Sequence, residues 1–173
     1  MRYIDPMYEV LVYVYENYWG GDHCPGREQL AHRLGSAGFG REEIQQALTW
    51  LDGLHKAAHG VRLEPVVGPP HLAPEQFPAW PAAPNSLRVY RPAELEHLGP
   101  HGIACLRFLE DAGALPAGLR ELVIDRALVV PEPPLALDDL KILIMMVYWR
   151  VGASPDLLVL DELCDDAGRR VAH

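Results

Sequence analysis

Apolar residues recur every three or four positions along most of the chain, and that spacing predicts helices rather than strands. Met7, Val10, Leu11, Val14, Tyr15 and Tyr18 form such a stripe after an Asp5 cap and Pro6, predicting a first helix to about Trp19 that Gly20–Gly21 ends. A short helix at Arg27–Leu34 and a longer one from Arg41, with Ile44, Ala47, Leu48, Leu51 and Leu54 on one face, flank a glycine-containing turn. At the start of the longer one, Phe39, Gly40, Glu43 and Ile44 occupy the positions of a hydrophobic staple and N-cap. Further on, Pro92–Leu98, Gly102–Ala112 and Pro116 to about Val129 read as helices, Gly113 being a stop signal. Asp138 reads as the cap of the next helix, whose run from Ile142 to Trp149 is apolar on every side, so it belongs in the middle of a bundle. Ser154–Pro155–Asp156 signals a last helix to about Cys164.

Two segments break the helical period. Val61–Glu64 and Leu87–Tyr90 read as short strands, the second with alternating Leu87 and Val89, and their pairing predicts a small wing. His59–Ser86, which the first of them enters and the second follows, carries seven prolines, which exclude regular helix and most sheet pairing, so it reads as a linker or irregular excursion. The expected fold is mainly α: an N-terminal helix-turn-helix or winged-helix-like half with a small β-hairpin, followed by a C-terminal helical bundle. Its expected parts are a helix-turn-helix region at 1–58, a proline-rich linker with the wing strands at 59–91, and the bundle at 92–173.

Charge changes the picture of the helix-turn-helix. The 173 residues carry a net charge of −9, with 5 bases against 8 acids in 1–58, 1 against 2 in 59–85, 5 against 6 in 86–130 and 4 against 8 in 131–173. No part of the chain is basic, and an acidic surface repels nucleic-acid phosphates and anionic membranes. The outward face of the would-be reading helix carries Arg41, Glu42, Gln45, Gln46, Thr49 and Asp52, where a DNA reader needs arginines and lysines for phosphate anchoring. Ile142–Trp149 is far shorter than the roughly 20 residues that span a bilayer, so no membrane role is expected. Cys24, Cys105 and Cys164 are widely spaced and odd in number, the pattern of reduced thiols in a cytoplasmic protein.

The chemistry-bearing residues do not assemble into a motif. His55 and His59 stand four apart on a helical turn, but the glutamate of a zinc-protease motif and a third ligand are missing, so they read as surface histidines. His23–Cys24 lacks structural-zinc spacing, and there is neither a phosphate-binding glycine loop nor a nucleophile elbow. Glu110–Asp111, Asp138–Asp139 and Asp165–Asp166 are adjacent carboxylates that point apart on a helix. No catalytic residue, metal or cofactor is expected. Glu121 and Asp125 crowd like charges on one helical face, and a base at Arg88 or Lys141 relieves them, either as an interhelical ion-pair cluster or as a partner-binding patch.

Several blocks then carry a resemblance: MYEVLVYVYENYW, AGFGREEIQQALTWLDGL, SLRVYRPAE, GIACLRFLEDAGAL, LRELVIDRALVV, LALDDLKILIMMVYW and the terminal His173. In this order they resemble the Smg family of bacterial proteins over nearly the whole chain, except about Cys24–Arg27 and a longer proline-rich His59–Asn85. Ile142 stands where the family commonly has tryptophan. The resemblance implies no cofactor, substrate or catalytic residue, and it implies an association with DNA processing only through gene neighbourhood.

The functional expectation is a non-enzymatic adaptor that presents a surface to a protein partner, with Arg88, Tyr90, Arg120 and Arg126 as candidate contact residues. The alternative is a direct DNA-binding winged-helix regulator reading through Arg41–Leu54, which requires Arg27, Arg33, Arg41 and Lys56 to converge on one surface.

Overall fold

In the computed structural model, which describes residues 6–18, 24–61, 87–131 and 133–153, the helices run in chain order as α1 (Pro6–Asn17), α2 (Arg27–Ser36), α3 (Arg41–Ala58), α4 (Pro92–Asp111), α5 (Ala117–Leu128) and α6 (Leu137–Val151). Their ends follow local chemistry. Gly40 is extended, and its N–H donates to Glu43 Oε2 at 2.8 Å, so the carboxylate reaches back to satisfy a donor at the start of α3. Gly38 reverses the chain ahead of it at φ 100°. Pro116 sits at the N-cap of α5, and Gly152 ends α6 in the left-handed region at φ 69°.

Helix α4 is two arms rather than one rod. Gly99 takes φ 65° and ψ 172°, outside helical geometry, and Pro100 follows it. The two arms correspond to the helices expected at Pro92–Leu98 and Gly102–Ala112. Gly102 lets the second arm approach α6, since a Cβ there would lie 3.2 Å from Leu140 Cδ2.

One core joins the elements of both halves of the chain. Helix α6 lies at its centre, in contact with α1, α3, α4 and α5, and Leu143, Ile144, Met146 and Val147 are fully buried on it. Even its polar aromatic atoms face inward: Trp149 Nε1–H donates to the Tyr18 carbonyl of the α1 end, and the Tyr148 hydroxyl donates to the Ala114 carbonyl between α4 and α5. Burial pushes the Tyr148 phenol up from its ordinary value. Helix α2 packs on α3 and contributes Leu30 and Leu34, while α3 buries Ile44, Ala47, Leu48, Trp50 and Leu54.

The expected β-hairpin is not formed: there is no strand among the described residues, and mainly α is the whole description of them. Leu87–Tyr90 has no regular secondary structure and makes no backbone pairing with any described residue. The physical reason lies in its side chains, because Arg88 and Tyr90 turn into the α4–α5 junction and hold the segment there without a ladder. Of the other expected strand only Val61 lies within the described residues. The winged-helix reading of the N-terminal half, which needed that hairpin, goes with it. A smaller correction concerns α6, whose N-cap is Ala136; Asp138 and Asp139 fall inside its first turn, where they favour the positive end of the helix dipole. The Asp5 cap and the helix expected from Ser154 lie outside the described residues.

Candidate functional site

The site grows from Leu87–Tyr90, the segment ahead of α4. Arg88 Nη1 and Nη2 donate to Glu94 at 2.8 and 3.1 Å, while Nε and Nη2 donate to Glu121 of α5 at 2.6 and 2.8 Å. Glu94 also accepts from the Arg91 backbone N–H at 2.9 Å, so it caps the start of α4 while it binds Arg88. Arg120 continues the chain, donating to Glu121 at 2.9 Å and pairing with Glu110 of the second α4 arm. Two guanidinium groups and three carboxylates thus tie the segment, both arms of α4 and α5 together. The fork of each guanidinium suits this bidentate work, which a lysine does not reproduce.

Electrostatics follow from those bonds. The Arg88 hydrogen bonds, reinforced by the Arg91 N–H, hold the Glu94 carboxyl down to about 2 against the cost of its burial. Burial pushes Glu121 up, but the bonds from Arg88 and Arg120 prevail and leave it below its ordinary value. Tyr90 lies inside the same junction, its ring centroid 4.5 Å from the Arg88 guanidinium carbon and 5.7 Å from that of Arg107. Burial raises its phenol against the opposing pull of the neighbouring arginines.

Of the four candidate contact residues, the structure brings three together. Arg88, Tyr90 and Arg120 share this network, whereas Arg126 stands two turns further along α5 against α3, with its guanidinium on the Gly53 surface and bonded to Asp125 at 2.8 Å. The backbone carbonyl of Arg126 accepts from Trp50 Nε1–H at 3.1 Å. The side chains of Arg88, Arg120 and Arg126 are 17, 11 and 13% exposed, and Tyr90 is 7% exposed. Glu121 and Asp125 are relieved separately, one by Arg88 and Arg120, the other by its neighbour Arg126.

What faces outward is the other half of the alternation. Leu87 and Val89 are 82 and 85% exposed, and on α4 Leu95 and Phe108 are exposed as well. Phe108 and Leu95 border an open apolar groove with Pro100, Ile103 and Ala104. Sequence reasoning missed these apolar residues as surface features because it assigned Leu87 and Val89 to a paired strand. It also missed Glu94, although its place three residues after Arg91 is a visible capping signal.

The arginines and lysine needed for a DNA surface do not converge. Arg41 and Lys56 open and close the same helix, 15 residues or about 22 Å apart along its axis. Arg27 is paired with Asp52 of α3, and Arg33 lies over the Tyr18 ring at 5.9 Å in an open groove lined by Tyr13 and Asn17.

The histidine pair is organised by a third residue. Arg150 Nη2 donates to His55 Nδ1 at 2.6 Å, which places the proton of neutral His55 on Nε2, from where it is shared with His59 Nε2 at 3.1 Å. A metal at His55 Nε2 would have to displace that proton beside a fixed positive charge. Among the described residues no group of three or more His, Cys, Asp or Glu side chains is arranged to hold a metal ion. Desolvation, Arg150 and His59 all lower the His55 titration. Its midpoint, followed by the ring proton resonances, is therefore expected below the ordinary 6.5, and Arg150→Met is expected to move it back upward. The depressed value means that the contact contributes above about pH 6.5 and weakens as pH falls below it.

Residues 7–173 match the family model described as "Protein of unknown function (DUF494)". The chain is 47% identical to the Protein Smg homolog of Methylibium petroleiphilum over 167 residues, covering 96% of this chain and all of that protein. It is 44% identical to the homolog of Bordetella pertussis and 36% identical to that of Herminiimonas arsenicoxydans, with the same coverage. No solved structure matches it. No described helix is long and apolar enough to cross a membrane.

Proposed function

Since the chain belongs to the Smg family of proteins of unknown function, we propose that it works without catalysis of its own, as an adaptor that holds a protein partner. The observation that carries this reading is the outward pair Leu87 and Val89, at 82 and 85% exposure, on a segment whose inward pair is clamped by charge. Exposed apolar side chains on a fixed backbone suit recognition, because little ordering entropy is lost on binding. Arg88, Tyr90 and Arg120 then act as positioning residues, presenting the segment rather than touching the partner themselves. Arg126 has a different part, keeping α5 against α3.

The acidic charge and the separation of Arg41 from Lys56 favour a protein over a nucleic acid as the direct ligand. A link to DNA processing enters this reading only through the partner. The test is capture with the tagged full chain from lysate of its own source, with and without nuclease, beside a Leu87→Asp/Val89→Asp variant. A nuclease-resistant partner that the double variant loses supports the adaptor. Recovery of nucleic acid, or of partners that nuclease removes, replaces it with direct DNA binding.

A further inference from the structure

Along the second arm of α4, Pro100, Ala104, Arg107, Phe108 and Asp111 are all exposed at helical spacing and form one outward stripe. Phe108 is 57% exposed. Asp111 is the last residue of the helix, at the negative end of its dipole, and that last turn contains no base. No ion pair joins Asp111 to any described residue; Arg107, four positions before it, turns over the Tyr90 ring instead. An opposite-charge pair beside an aromatic residue on one helical face is self-complementary under two-fold symmetry.

We propose that this stripe docks a second copy of the chain, with the two α4 arms antiparallel about an axis passing beside position 109. In that register residue i meets residue 218 − i, so Arg107 of each copy meets Asp111 of the other. The two Phe108 side chains lie one residue from the axis and on the same edge of the interface, so their rings meet each other. Each Asp111 gains the cation its own helix end does not provide. The occupant is a second copy rather than another protein because the charge pair and the ring are each complementary to themselves in a single register.

The test is sedimentation of the full-length protein over a concentration series, with single and paired charge reversals. The stripe is smaller than a standard interface, so a weak dimer that forms only at the upper end of the series is expected. Phe108→Asp is expected to weaken dimerisation by about tenfold or more, as it sets two carboxylates against each other at the axis. Arg107→Asp and Asp111→Arg alone each place like charges across the interface and weaken it by about tenfold, whereas an equimolar mixture of the two variants pairs again as a heterodimer. Arg107→Asp/Asp111→Arg in one chain likewise regains self-association. A wild-type protein that stays monomeric at about 200 µM overturns the proposal. So does a dimer insensitive to Phe108→Asp, or a mixture that fails to re-pair.

Discussion

Replacing Ile144 by alanine is expected to destabilise the protein by about 3 to 4 kcal/mol. Ile144 is completely buried in the helix that all of α1, α3, α4 and α5 share. Its removal opens a cavity in a core that several helices share, and a close-packed interior relaxes into such a cavity only in part. Ile142, two positions away, is only partly buried, and Ile142→Ala is expected to cost about 1 kcal/mol. Chemical denaturation of the two variants compares the same residue type in the same helix, so the difference between them measures burial alone. With a total stability of about 5 to 15 kcal/mol for a domain of this size, Ile144→Ala consumes a large part of the margin. Equal losses at the two positions would show that α6 is not the centre of the core.

The second large effect concerns Arg88. Arg88→Met removes both bonds to Glu94, whose side chain is 9% exposed, and leaves that carboxylate without its main partner; a loss of about 3 kcal/mol at neutral pH is expected. The pH dependence identifies the cause. In the wild type Glu94 titrates at about 2, below its ordinary 4.5, so the pairing stabilises the fold fully above about pH 4.5 and is lost as pH falls towards 2. In the variant Glu94 is no longer held ionised and can take a proton, so the penalty for losing Arg88 is expected to shrink by about pH 3.5. A second variant, Arg88→Met/Glu94→Leu, removes both charges and is expected to recover much of the loss at neutral pH. A penalty that is the same at both pH values, or no recovery in the double variant, would mean that Arg88 serves by packing rather than by charge.

How much of this was legible in the sequence varies with the kind of signal. Regular repetition was the clearest, since α6 announces its central position by having no polar face, and Gly113 and Pro116 mark the turn before α5. Trp50 was not legible as core, because the Ile44–Leu54 stripe describes one face of α3 and Trp50 serves a second neighbour, bonding the Arg126 carbonyl on α5. The alternation at Leu87–Tyr90 was real, but its sense was opposite to the usual one. Apolar residues point out and Arg88 points in, because two carboxylates from different helices wait for it. No local pattern encodes a buried arginine whose partners lie 6 and 33 residues away. Arg88 was nevertheless identifiable as a base for Glu121 from charge crowding on α5. The departure at Ile142 also looks different in three dimensions, since that position lies on the partly exposed side of α6 rather than deep within it.

The place of α6 has a consequence for the order of events during synthesis. A chain made from its N-terminus presents the apolar faces of α1 and α3 long before the helix that covers them has been translated. Trp149 must find the Tyr18 carbonyl across 131 positions of sequence, and Trp50 must find Arg126 across 76. Closing such distant contacts costs chain entropy before it returns any stability, so the nascent chain passes through a stage in which its apolar stripes are uncovered. The growing polypeptide is therefore most exposed to aggregation, and most in need of a holding chaperone, until Val151 has emerged.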